Sequence, residues 1–494
     1  MTYILAIDQG TSSSRCILYN RKAQTVALAQ QEFQQIYPQP GWVEHDAEAI
    51  WHSQTKVIKQ VLQEQNLQPA DIAGIGITNQ RETTVIWDKH TGKPIYNAIV
   101  WQDRRTAEVC NQLKAAGKEA LIQAKTGLLL DAYFSATKIK WLLDHVAGAR
   151  AKAERGELAF GTIDTWLVWQ LTQGELHITD VSNASRTMLY NIETRAWDEE
   201  LLALFDIPAV LLPTVKPSSQ VYGVSRHPEI GEDIPIAALV GDQQAALFGQ
   251  LCHNAGMAKC TYGTGSFLMM NTGSKIVKSK HRLLTTIAWQ IGDEITYALE
   301  GSVFMGGAVM QWLRDGLLAF NDTAESERLA ISVSNNGGVY FVPALTGLGA
   351  PYWDSSARGT LFGLTRGTTQ AHITRAALES IAFQVNDLLD TLTDDCGESI
   401  TELRVDGGAA KNNLLVQFQA DVSRLNIVRP VNLESTALGA AYLAGLAVGF
   451  WTLAELNESE NLEHTFKPNL DIDEVDKLKH FWQKAVSRSL NWSE

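Results

Sequence analysis

Cysteine is scarce in this sequence and is arranged neither for cross-linking nor for metal binding. The 494 residues contain 5 cysteines, at positions 16, 110, 252, 260 and 396. Their number is odd, no Cys-x-x-Cys pair occurs, and no Cys/His cluster has the spacing of a zinc site. This pattern argues against a disulfide-stabilised secreted fold. We therefore expect the chain to work in a reducing compartment, the cytoplasm.

Long apolar segments and an excess of positive charge are also missing. The longest apolar run, residues 437–451, contains three glycines and is shorter than the roughly 20 residues that cross a bilayer, so we expect a buried helix. The amino terminus lacks the features of a secretory signal. Lys plus Arg number 41 against 55 Asp plus Glu, a net charge of -14. Such a charge disfavours nucleic acid and anionic membranes as partners and favours a small molecule.

Two common nucleotide-binding motifs are absent from the sequence. No GxxxxGK[ST] segment occurs, and no GxGxxG segment follows a predicted strand. These absences argue against a Walker-type nucleotide site and against a Rossmann dinucleotide site. Any phosphate chemistry must therefore use another scaffold.

Length and composition predict a globular protein with more than one hydrophobic core. The 494 residues exceed the roughly 100 to 200 of a single domain. Hydrophobic residues make up 45% and charged residues 19%, enough to bury large cores. Short apolar strands, such as residues 4–7, alternate with helical patterns, such as the one after Asp46. This alternation predicts an α/β architecture.

One local design occurs once in each half of the chain. An apolar strand ends in DQGT at residues 8–11, and a second strand returns after a serine-rich turn; YGTGS at residues 262–266 repeats the pattern. We call residues 10–12 the first Gly-Thr turn and residues 263–265 the second. Glycine permits unusual backbone conformations there, and the hydroxyls lie beside exposed N–H groups, which predicts a cradle for phosphate oxygens. Two ordinary β-hairpin turns are the alternative.

A third glycine turn, at residues 407–410, follows a strand and precedes a helix that Asn412 opens. Small residues in this turn allow a flat ring to approach the backbone, and Asn412 offers a donor and an acceptor to a ribose or a base edge. A tight strand-to-helix connection is the alternative.

Polar residues follow several predicted strands. Asp242 comes after the apolar strand at residues 236–240 and is a candidate general base, because phosphorylation of an alcohol needs a carboxylate that accepts the hydroxyl proton. A helix cap is its alternative role. Arg81, Glu82 and Trp101 also follow strands, and donors, an acceptor and an aromatic wall suit a polyol. Surface ion pairing of Arg81 with Glu82, and core packing of Trp101, are the alternatives.

Taken together, these segments resemble the FGGY family of carbohydrate kinases over nearly the full length. The segments that carry the resemblance are DQGT (8–11), GITNQRET (76–83), NAIVWQDRR (97–105), DTW (164–166), TD (179–180), NASRT (183–187), GDQQAAL (241–247), YGTG (262–265), GLGAPYW (347–353) and DGG (406–408). Residues 133–145 and 359–380 are similar to the two signatures of the family.

The resemblance implies an actin-like, ribonuclease-H-like α/β fold, duplicated as domains 1–250 and 251–494 around a cleft. It implies that the first domain holds glycerol and phosphate, and the second the nucleotide. The implied reaction is the phosphorylation of glycerol to sn-glycerol 3-phosphate by ATP with Mg²⁺, in a cytoplasmic homodimer or homotetramer. Another sugar or polyol kinase of the family, acting on a pentulose or a sugar acid, and an actin-like nucleotide switch are the alternatives.

The resemblance also implies roles for individual residues. Around glycerol it implies Arg81, Glu82, Trp101, Tyr133, Asp242, Gln243 and Phe267, with Asp242 as the general base. Around ATP it implies Thr11, Ser12, Arg15, Thr264, Gly307, Gln311, Gly408 and Asn412. Mg²⁺ is expected at Asp8 and Asp242, partly through water. Residues 434–445 are similar to a helix that connects the two domains in the family, with an ordinary buried helix as the alternative.

The loop at residues 226–234 departs from the family pattern. Some relatives bind a sugar bisphosphate inhibitor there through a Gly-rich, Arg-containing segment, whereas this chain has Gly231-Glu232-Asp233. Other relatives carry a phosphorylatable histidine in this region, but the neighbours of His227 do not match theirs. Two carboxylates repel phosphate groups, so the loop is not expected to bind the inhibitor.

Fructose 1,6-bisphosphate is accordingly expected to leave the rate of glycerol phosphorylation unchanged at millimolar concentration. Initial rates of ADP formation, with the oligomeric state followed by light scattering, would check this expectation. Submillimolar inhibition together with a change in oligomeric state would show that another surface supplies the site.

Overall fold

The structure, a computed structural model, describes residues 2–354, 356–397, 400, 402–458 and 462–492. The strands in this part of the chain are β1 (Tyr3–Gln9), β2 (Ser13–Tyr19), β3 (Thr25–Glu32), β4 (Glu44–His45), β5 (Ile72–Asn79), β6 (Val85–Asp88), β7 (Ala98–Ile99), β8 (Leu158–Gly161), β9 (Ile178–Asp180), β10 (Tyr190–Asn191), β11 (Ala196–Trp197), β12 (Thr214–Lys216), β13 (Ser219–Val224), β14 (Pro235–Gly241), β15 (Ala258–Tyr262), β16 (Ser266–Gly273), β17 (Leu284–Ile291), β18 (Glu294–Val303), β19 (Tyr340–Val342), β20 (Thr360–Phe362), β21 (Glu402–Asp406), β22 (Asn426–Pro430) and β23 (Leu462–Phe466).

The α-helices in the same part of the chain are α1 (Ala47–Glu64), α2 (Ala107–Ala115), α3 (Glu119–Thr126), α4 (Ser135–His145), α5 (Ala149–Glu154), α6 (Ile163–Leu171), α7 (Val181–Ala184), α8 (Glu199–Phe205), α9 (Asp242–Gly249), α10 (Ala308–Asp315), α11 (Glu325–Ile331), α12 (Gln370–Cys396), α13 (Asn413–Ser423), α14 (Ser435–Ala447), α15 (Leu453–Glu458) and α16 (Ile472–Ser487). Helix α1 begins as its sequence predicts, because the Asp46 side chain accepts the backbone N–H groups of Glu48 and Ala49 at 2.9 and 3.3 Å.

The same strand arrangement occurs twice. Within the described residues, thirteen strands form one sheet in the order β23-β22-β21-β15-β16-β18-β17-β13-β14-β5-β1-β2-β3. In the first set, β3, β2 and β1 are antiparallel neighbours, and β1, β5 and β14 are parallel. In the second set, β18, β16 and β15 are antiparallel, and β15, β21 and β22 are parallel. Strands β13 and β17 pair and join the two sets.

The strand ends bring the polar segments together. Gln9 on β1 pairs with Asn79 on β5, and Asn79 pairs in turn with Gly241 on β14. The chain therefore leaves all three strands at one edge of the sheet, where the first Gly-Thr turn, Arg81 and Asp242 follow. On the second set, Thr261 pairs with Asp406, which places the second Gly-Thr turn beside residues 407–410. Crevices at the carboxyl ends of parallel strands are the usual ligand sites of α/β sheets.

Helices α9 and α14 each contact the strand set that they do not follow. Helix α9 follows β14 yet packs on β15, β16 and β17, whereas α14 follows β22 and packs on β1, β5 and β14. The helices can approach closely because Gly439 and Gly249 have no Cβ atom. A Cβ on Gly439 would lie 1.8 Å from the carbonyl oxygen of Ala245, and one on Gly249 would lie 2.1 Å from that of Ser435. Helix α14 contains most of the predicted connecting segment at residues 434–445 and is buried as expected.

Among the described residues, no helix has the length and the apolar character needed to cross a membrane. Cys16, Cys110, Cys252 and Cys260 are buried and form no disulfide.

The close contact between α9 and α14 predicts that Gly439→Ala lowers the thermal stability. The new methyl group would overlap the carbonyl oxygen of Ala245, and overpacking of this kind costs about 3 kcal/mol. Alanine is a better helix former than glycine by about 1 kcal/mol, so a loss of stability isolates the packing effect. Circular dichroism gives the melting temperature. Gly367→Ala is the control, because its new methyl group would meet its nearest neighbour at 3.9 Å; equal melting temperatures for the two variants would contradict the close packing.

Candidate functional site

Four buried charged side chains link segments that follow strands of the first set to Glu300 on β18 of the second set. Arg81 donates to both carboxylate oxygens of Glu300, at 2.5 and 3.0 Å. Arg186 donates to Glu82 at 2.6 Å and to Glu300 at 3.0 Å. All four side chains are at most 2% exposed, and burial of such charges is tolerated only when they are paired. We call Arg81, Glu82, Arg186 and Glu300 the charge cluster.

The charge cluster overturns one alternative from the sequence. The alternative that Arg81 and Glu82 form an ion pair on the surface is wrong, because both residues are buried. Glu82 also has a positive φ of 61°, a conformation that costs a non-glycine residue energy and that persists where the surroundings enforce it. The hydroxyls of Thr84 and Ser135 donate to the Glu82 carbonyl oxygen at 3.1 and 2.9 Å and hold this conformation.

The two glutamates of the cluster differ in their ionisation. Burial tends to raise the pKa of Glu300, but Arg186 and Arg81 outweigh burial and hold this pKa at about 2. Burial raises the pKa of Glu82, and the same two arginines offset only part of the increase. Glu300 is therefore the firmly ionised partner of both arginines.

Asp242 lies next to the cluster as the first residue of α9. Its Oδ1 accepts the backbone N–H of Gln243 at 2.7 Å and lies 3.1 Å from Nε of Arg81, while 29% of the side chain is exposed. No residue in the described part of the chain donates to Oδ2. Burial raises the pKa of Asp242, and Arg81 opposes the increase. The arrangement leaves one carboxylate oxygen available to accept a proton.

Tyr133 and Trp101 form an aromatic wall between the cluster and the first Gly-Thr turn. The Tyr133 hydroxyl lies 3.5 Å from Nη2 of Arg81, and the Tyr133 ring meets the Trp101 ring edge to face at 5.6 Å. The indole N–H of Trp101 donates to the Thr11 hydroxyl at 2.9 Å. These contacts connect the predicted glycerol residues to the predicted phosphate cradle.

Lys259 connects Gln243 to the second strand set, to which Phe267 itself belongs. The ammonium group of Lys259 donates to the side-chain oxygen of Gln243, and to the Thr261 hydroxyl at 2.9 Å. Lys259 is fully buried, and burial lowers its pKa. Phe267 pairs with Thr261 across β15 and β16, so it lies on the sheet face that also carries Thr261 and Lys259.

The second Gly-Thr turn holds the start of α10. The N–H groups of Gly306 and Ala308 donate to the Thr264 carbonyl oxygen at 2.9 and 3.1 Å, and the N–H of Gly307 donates to the Gly263 carbonyl oxygen at 2.8 Å. Thr264 is exposed, as expected for a residue that contacts a nucleotide.

The role assigned to glycine in the Gly-Thr turns needs correction. Among the described residues, Gly10, Gly263 and Gly265 are not in the positive-φ region, whereas Gly407 is, with φ 86°. At Gly265 the requirement is space, because a Cβ there would lie 2.6 Å from the carbonyl oxygen of Val303. Close approach of two backbone segments therefore explains Gly265, and backbone conformation explains Gly407.

The other predicted nucleotide residues lie around these turns. Ser12, Gln311 and Gly408 are exposed, and Gln311 belongs to α10. Asn412 accepts the N–H of Leu415 at 3.0 Å and caps α13, so its amide N–H groups and one acceptor position of its oxygen remain for a ligand. The cap therefore uses part of the acceptor capacity that we expected Asn412 to offer to a ribose or a base edge.

Asp8 on β1 and Arg15 on β2 pair directly, on either side of the first Gly-Thr turn. Arg15 forms an ion pair with Glu434 at 2.7 Å, although it was expected to contact ATP. Burial raises the pKa of Asp8 to about 7, with Arg15 opposing and Glu434 and Asp242 adding to the increase. The described residues contain no cluster of three or more His, Cys, Asp or Glu side chains that could hold a metal ion.

Three residues of the site were not predicted from the sequence: Arg186, Glu300 and Lys259. Each has a signal in the sequence: Glu300 and Lys259 are charged residues within strands β18 and β15 that are otherwise largely apolar, and Arg186 belongs to the NASRT segment. A charge in a buried strand needs a partner, but the partners of Glu300 and Arg186 lie 104 to 219 positions away in the sequence.

The arginine of the loop at residues 226–234 is paired with carboxylates. The guanidinium of Arg226 lies 2.9 Å from Asp233 and 3.5 Å from Glu175. The ring of His227 is half-buried and meets the Trp51 ring edge to face at 5.2 Å.

Comparisons with known proteins follow the same division of the chain. Residues 3–249 match the N-terminal domain of the FGGY family of carbohydrate kinases, and residues 258–448 match its C-terminal domain. The chain is 59% identical over 493 residues to a glycerol kinase of Parabacteroides distasonis, covering 100% of this chain and 99% of the relative. It is also 59% identical over 493 residues to a glycerol kinase of Carboxydothermus hydrogenoformans, covering 99% and 98%.

Solved structures confirm the predicted duplicated, actin-like fold. The structure of Plasmodium falciparum glycerol kinase with ADP has a TM-score of 0.94 and 39% sequence identity, covering 99% of this chain and 98% of that one. A xylulose kinase from Lactobacillus acidophilus has a TM-score of 0.87 at 23% identity, with the same coverage; at that identity the match concerns the fold alone.

Proposed function

The chain belongs to the FGGY family of carbohydrate kinases, and on that premise we propose that it transfers the γ-phosphoryl group of ATP to glycerol, giving sn-glycerol 3-phosphate and ADP. The observation that carries the proposal is the position of Asp242. Its carboxylate lies 3.1 Å from the buried Arg81 of the charge cluster, at the sheet edge where β14 ends beside β5 and β1 and where the first Gly-Thr turn follows β1. The relatives that are 59% identical are glycerol kinases.

In the proposed site, glycerol lies against Arg81, Glu82, Trp101, Tyr133, Asp242, Gln243 and Phe267. Most N–H groups of Arg81 already have partners in Glu300, Gln244 and Asp242. The contact from Nη2 to the Tyr133 hydroxyl, at 3.5 Å, is at the limit of a hydrogen bond. This N–H is the donor that we assign to a glycerol hydroxyl. Glu82 and Asp242 supply acceptors, and the Trp101 and Phe267 rings wall the C–H faces.

Asp242 acts as the general base in the proposed mechanism. Its Oδ1 is fixed by the Gln243 N–H and Arg81, so Oδ2 points to the attacking hydroxyl and takes its proton as the oxygen attacks phosphorus. The bond from the γ-phosphorus to the bridging oxygen breaks, and ADP carries the electron pair away. Most of the rate acceleration in such transfers comes from positioning and charge stabilisation, which the fixed Arg81 and Asp242 provide.

ATP occupies the second strand set in this proposal, with its phosphates directed to the first. Thr11, Ser12 and Arg15 bind phosphate oxygens, and Thr264, Gly307, Gln311, Gly408 and Asn412 contact the rest of the nucleotide. Arg15 exchanges its pairing with Glu434 for phosphate or shares it.

Asp8 and Asp242 would hold Mg²⁺ together with water and phosphate oxygens. Two carboxylates fit this ion, which usually keeps several waters and takes only one or two protein carboxylates in kinase sites. The carboxylate of Asp8 is buried, and no residue in the described part of the chain donates a hydrogen bond to it. When bound, the ion would neutralise charge on the transferred phosphoryl group.

Three broader features belong to the same proposal. We place the division between the domains near residue 250, in accord with the exchange of α9 and α14 between strand sets. A cytoplasmic location is supported by four buried cysteines that form no disulfide. The homodimer or homotetramer that the family resemblance implies stays a prediction.

Asp242→Asn tests the general base. An asparagine can keep its oxygen toward Gln243 and Arg81, but it places an NH₂ group where Oδ2 accepts the proton. We expect kcat to fall by about 100-fold or more, while the Kd of ADP changes little. A coupled assay gives kcat, and calorimetry gives the Kd.

Asp144→Asn is the matched control, because Asp144 forms an ion pair with Arg150 at the surface. This variant enzyme should keep its full turnover. An Asp242→Asn enzyme that retained most of its turnover would remove Asp242 from the mechanism.

Substrate choice gives a second test. A substrate that lacks one hydroxyl leaves a buried polar group of the site without a partner, and sites of this kind reject deoxy analogues by roughly 10⁴-fold. Propane-1,2-diol and propane-1,3-diol are therefore expected to be very poor substrates, and Arg81→Ala is expected to weaken glycerol binding much more than ADP binding. ADP formation over a panel of polyols gives kcat/KM. Comparable values for glycerol and D-xylulose would favour another kinase of the family, and ATP hydrolysis independent of any polyol would favour a nucleotide switch.

A further inference from the structure

A row of side chains on the second strand set contains two buried charges of opposite sign. Lys259 on β15 pairs with Met269 on β16, and Met269 pairs with Glu300 on β18. Residues that pair directly across a sheet project from the same face, so Lys259 and Glu300 share one face. Both are fully buried, and neither belongs to the residue set expected to contact glycerol or ATP.

Both charges find partners that are expected to contact glycerol and that follow strands of the first set. Glu300 accepts from Arg81 at 2.5 and 3.0 Å. Lys259 donates to the side-chain oxygen of Gln243. The first strand set therefore supplies Arg81 and Gln243, and the second set supplies the charged groups that hold these two side chains.

The same two strands lead directly to the second Gly-Thr turn. Strand β15 ends at Tyr262, immediately before this turn, and β18 ends at Val303, just before Gly306 and Gly307. The N–H groups of these two glycines donate to the carbonyl oxygens of Thr264 and Gly263 at 2.9 and 2.8 Å. Lys259 and Glu300 thus lie on strands whose ends are tied together by the turn that is expected to hold the nucleotide.

We propose that Glu300 and Lys259 are positioning residues that couple nucleotide binding at the second Gly-Thr turn to glycerol binding, by fixing Arg81 and Gln243. The inference rests on the proposed function and extends it. Nucleotide binding orders the turn and the strands β15 and β18 that lead to it. A buried charge cannot leave its partner without a large penalty, so Arg81 and Gln243 follow the position of these strands. Glycerol then meets side chains already fixed in the binding geometry.

The proposal makes a thermodynamic statement that can be measured without turnover. If ADP raises the affinity for glycerol by some factor, glycerol must raise the affinity for ADP by the same factor. Titration calorimetry of glycerol, with and without saturating MgADP, gives this coupling factor for the full-length protein. For the unaltered chain we expect a factor of about 5 or more.

Glu300→Gln keeps the size of the side chain and removes its charge. In this variant the Kd for glycerol should rise by about 10-fold or more, because Arg81 loses its nearest charged partner, and the coupling factor should fall to about 1. The Kd for MgADP measured without glycerol should stay within about 3-fold of its original value, since no ADP contact is removed. Lys259→Met is the second variant and should behave in the same direction through Gln243, which keeps the proposal testable if Glu300→Gln fails to fold.

Glu379→Gln is the matched control. Glu379 is also a buried glutamate paired with an arginine, Arg375, at 2.9 Å, but it lies on α12, and its hydrogen-bond partners in the described part of the chain, Arg375 and Asn336, are not site residues. The control variant should keep both the affinity for glycerol and the coupling factor, so a general loss of stability cannot imitate the effect.

The possible results of these titrations distinguish the proposal from its failure. Weaker glycerol binding with loss of coupling in the two test variants, and normal behaviour of Glu379→Gln, support the proposal. Weaker binding with an unchanged coupling factor, unchanged binding in both variants, or a coupling factor of 1 in the unaltered chain would overturn it. Failure of the unaltered chain to bind glycerol at all would instead overturn the proposed function.

Discussion

Burial of two arginines and two glutamates that link the two strand sets is the constraint on which the site depends. Removal of one partner from such a group leaves an uncompensated buried charge, a loss of about 3 to 5 kcal/mol. Arg81, Glu82, Arg186 and Glu300 therefore hold one another in place. Asp242 takes its orientation from Arg81, so the position of the proposed base depends on the same cluster.

The exchange of helices between strand sets complements the charge cluster. Helices α9 and α14 each cover strands of the opposite set, and Gly439 and Gly249 allow their backbones to touch. Asp242 is the first residue of α9, so the helix that carries the base is also one that binds the two sets together. Chemistry at the sheet edge and the relative position of the sets are thus physically connected.

Much of the fold follows from local sequence signals. Alternating apolar strands, the Asp46 cap of α1 and the two Gly-Thr turns all reflect short-range rules of periodicity and capping, and the structure contains each of them. The placement of Asp242 after β14 was also predictable, because the apolar run at residues 236–240 and the following Gly241 mark the end of a strand.

The partners of the buried charges were not predictable in the same way. Arg81 and Glu300 are separated by 219 positions, and no local rule pairs residues so distant. The sequence also does not show that Arg15 pairs with Glu434, or that space rather than backbone conformation explains Gly265. Each of these features depends on which segments the fold brings together.

A double-mutant cycle on glycerol affinity tests most directly whether the charge cluster acts as one unit. The cycle combines Arg186→Met with Glu300→Gln, whose side chains are 3.0 Å apart. If the cluster is one unit that holds Arg81, the two single changes are strongly non-additive, with an interaction free energy above about 1 kcal/mol. Effects that simply add, to within about 0.3 kcal/mol, would show that the two residues act independently and would contradict the role given to the cluster.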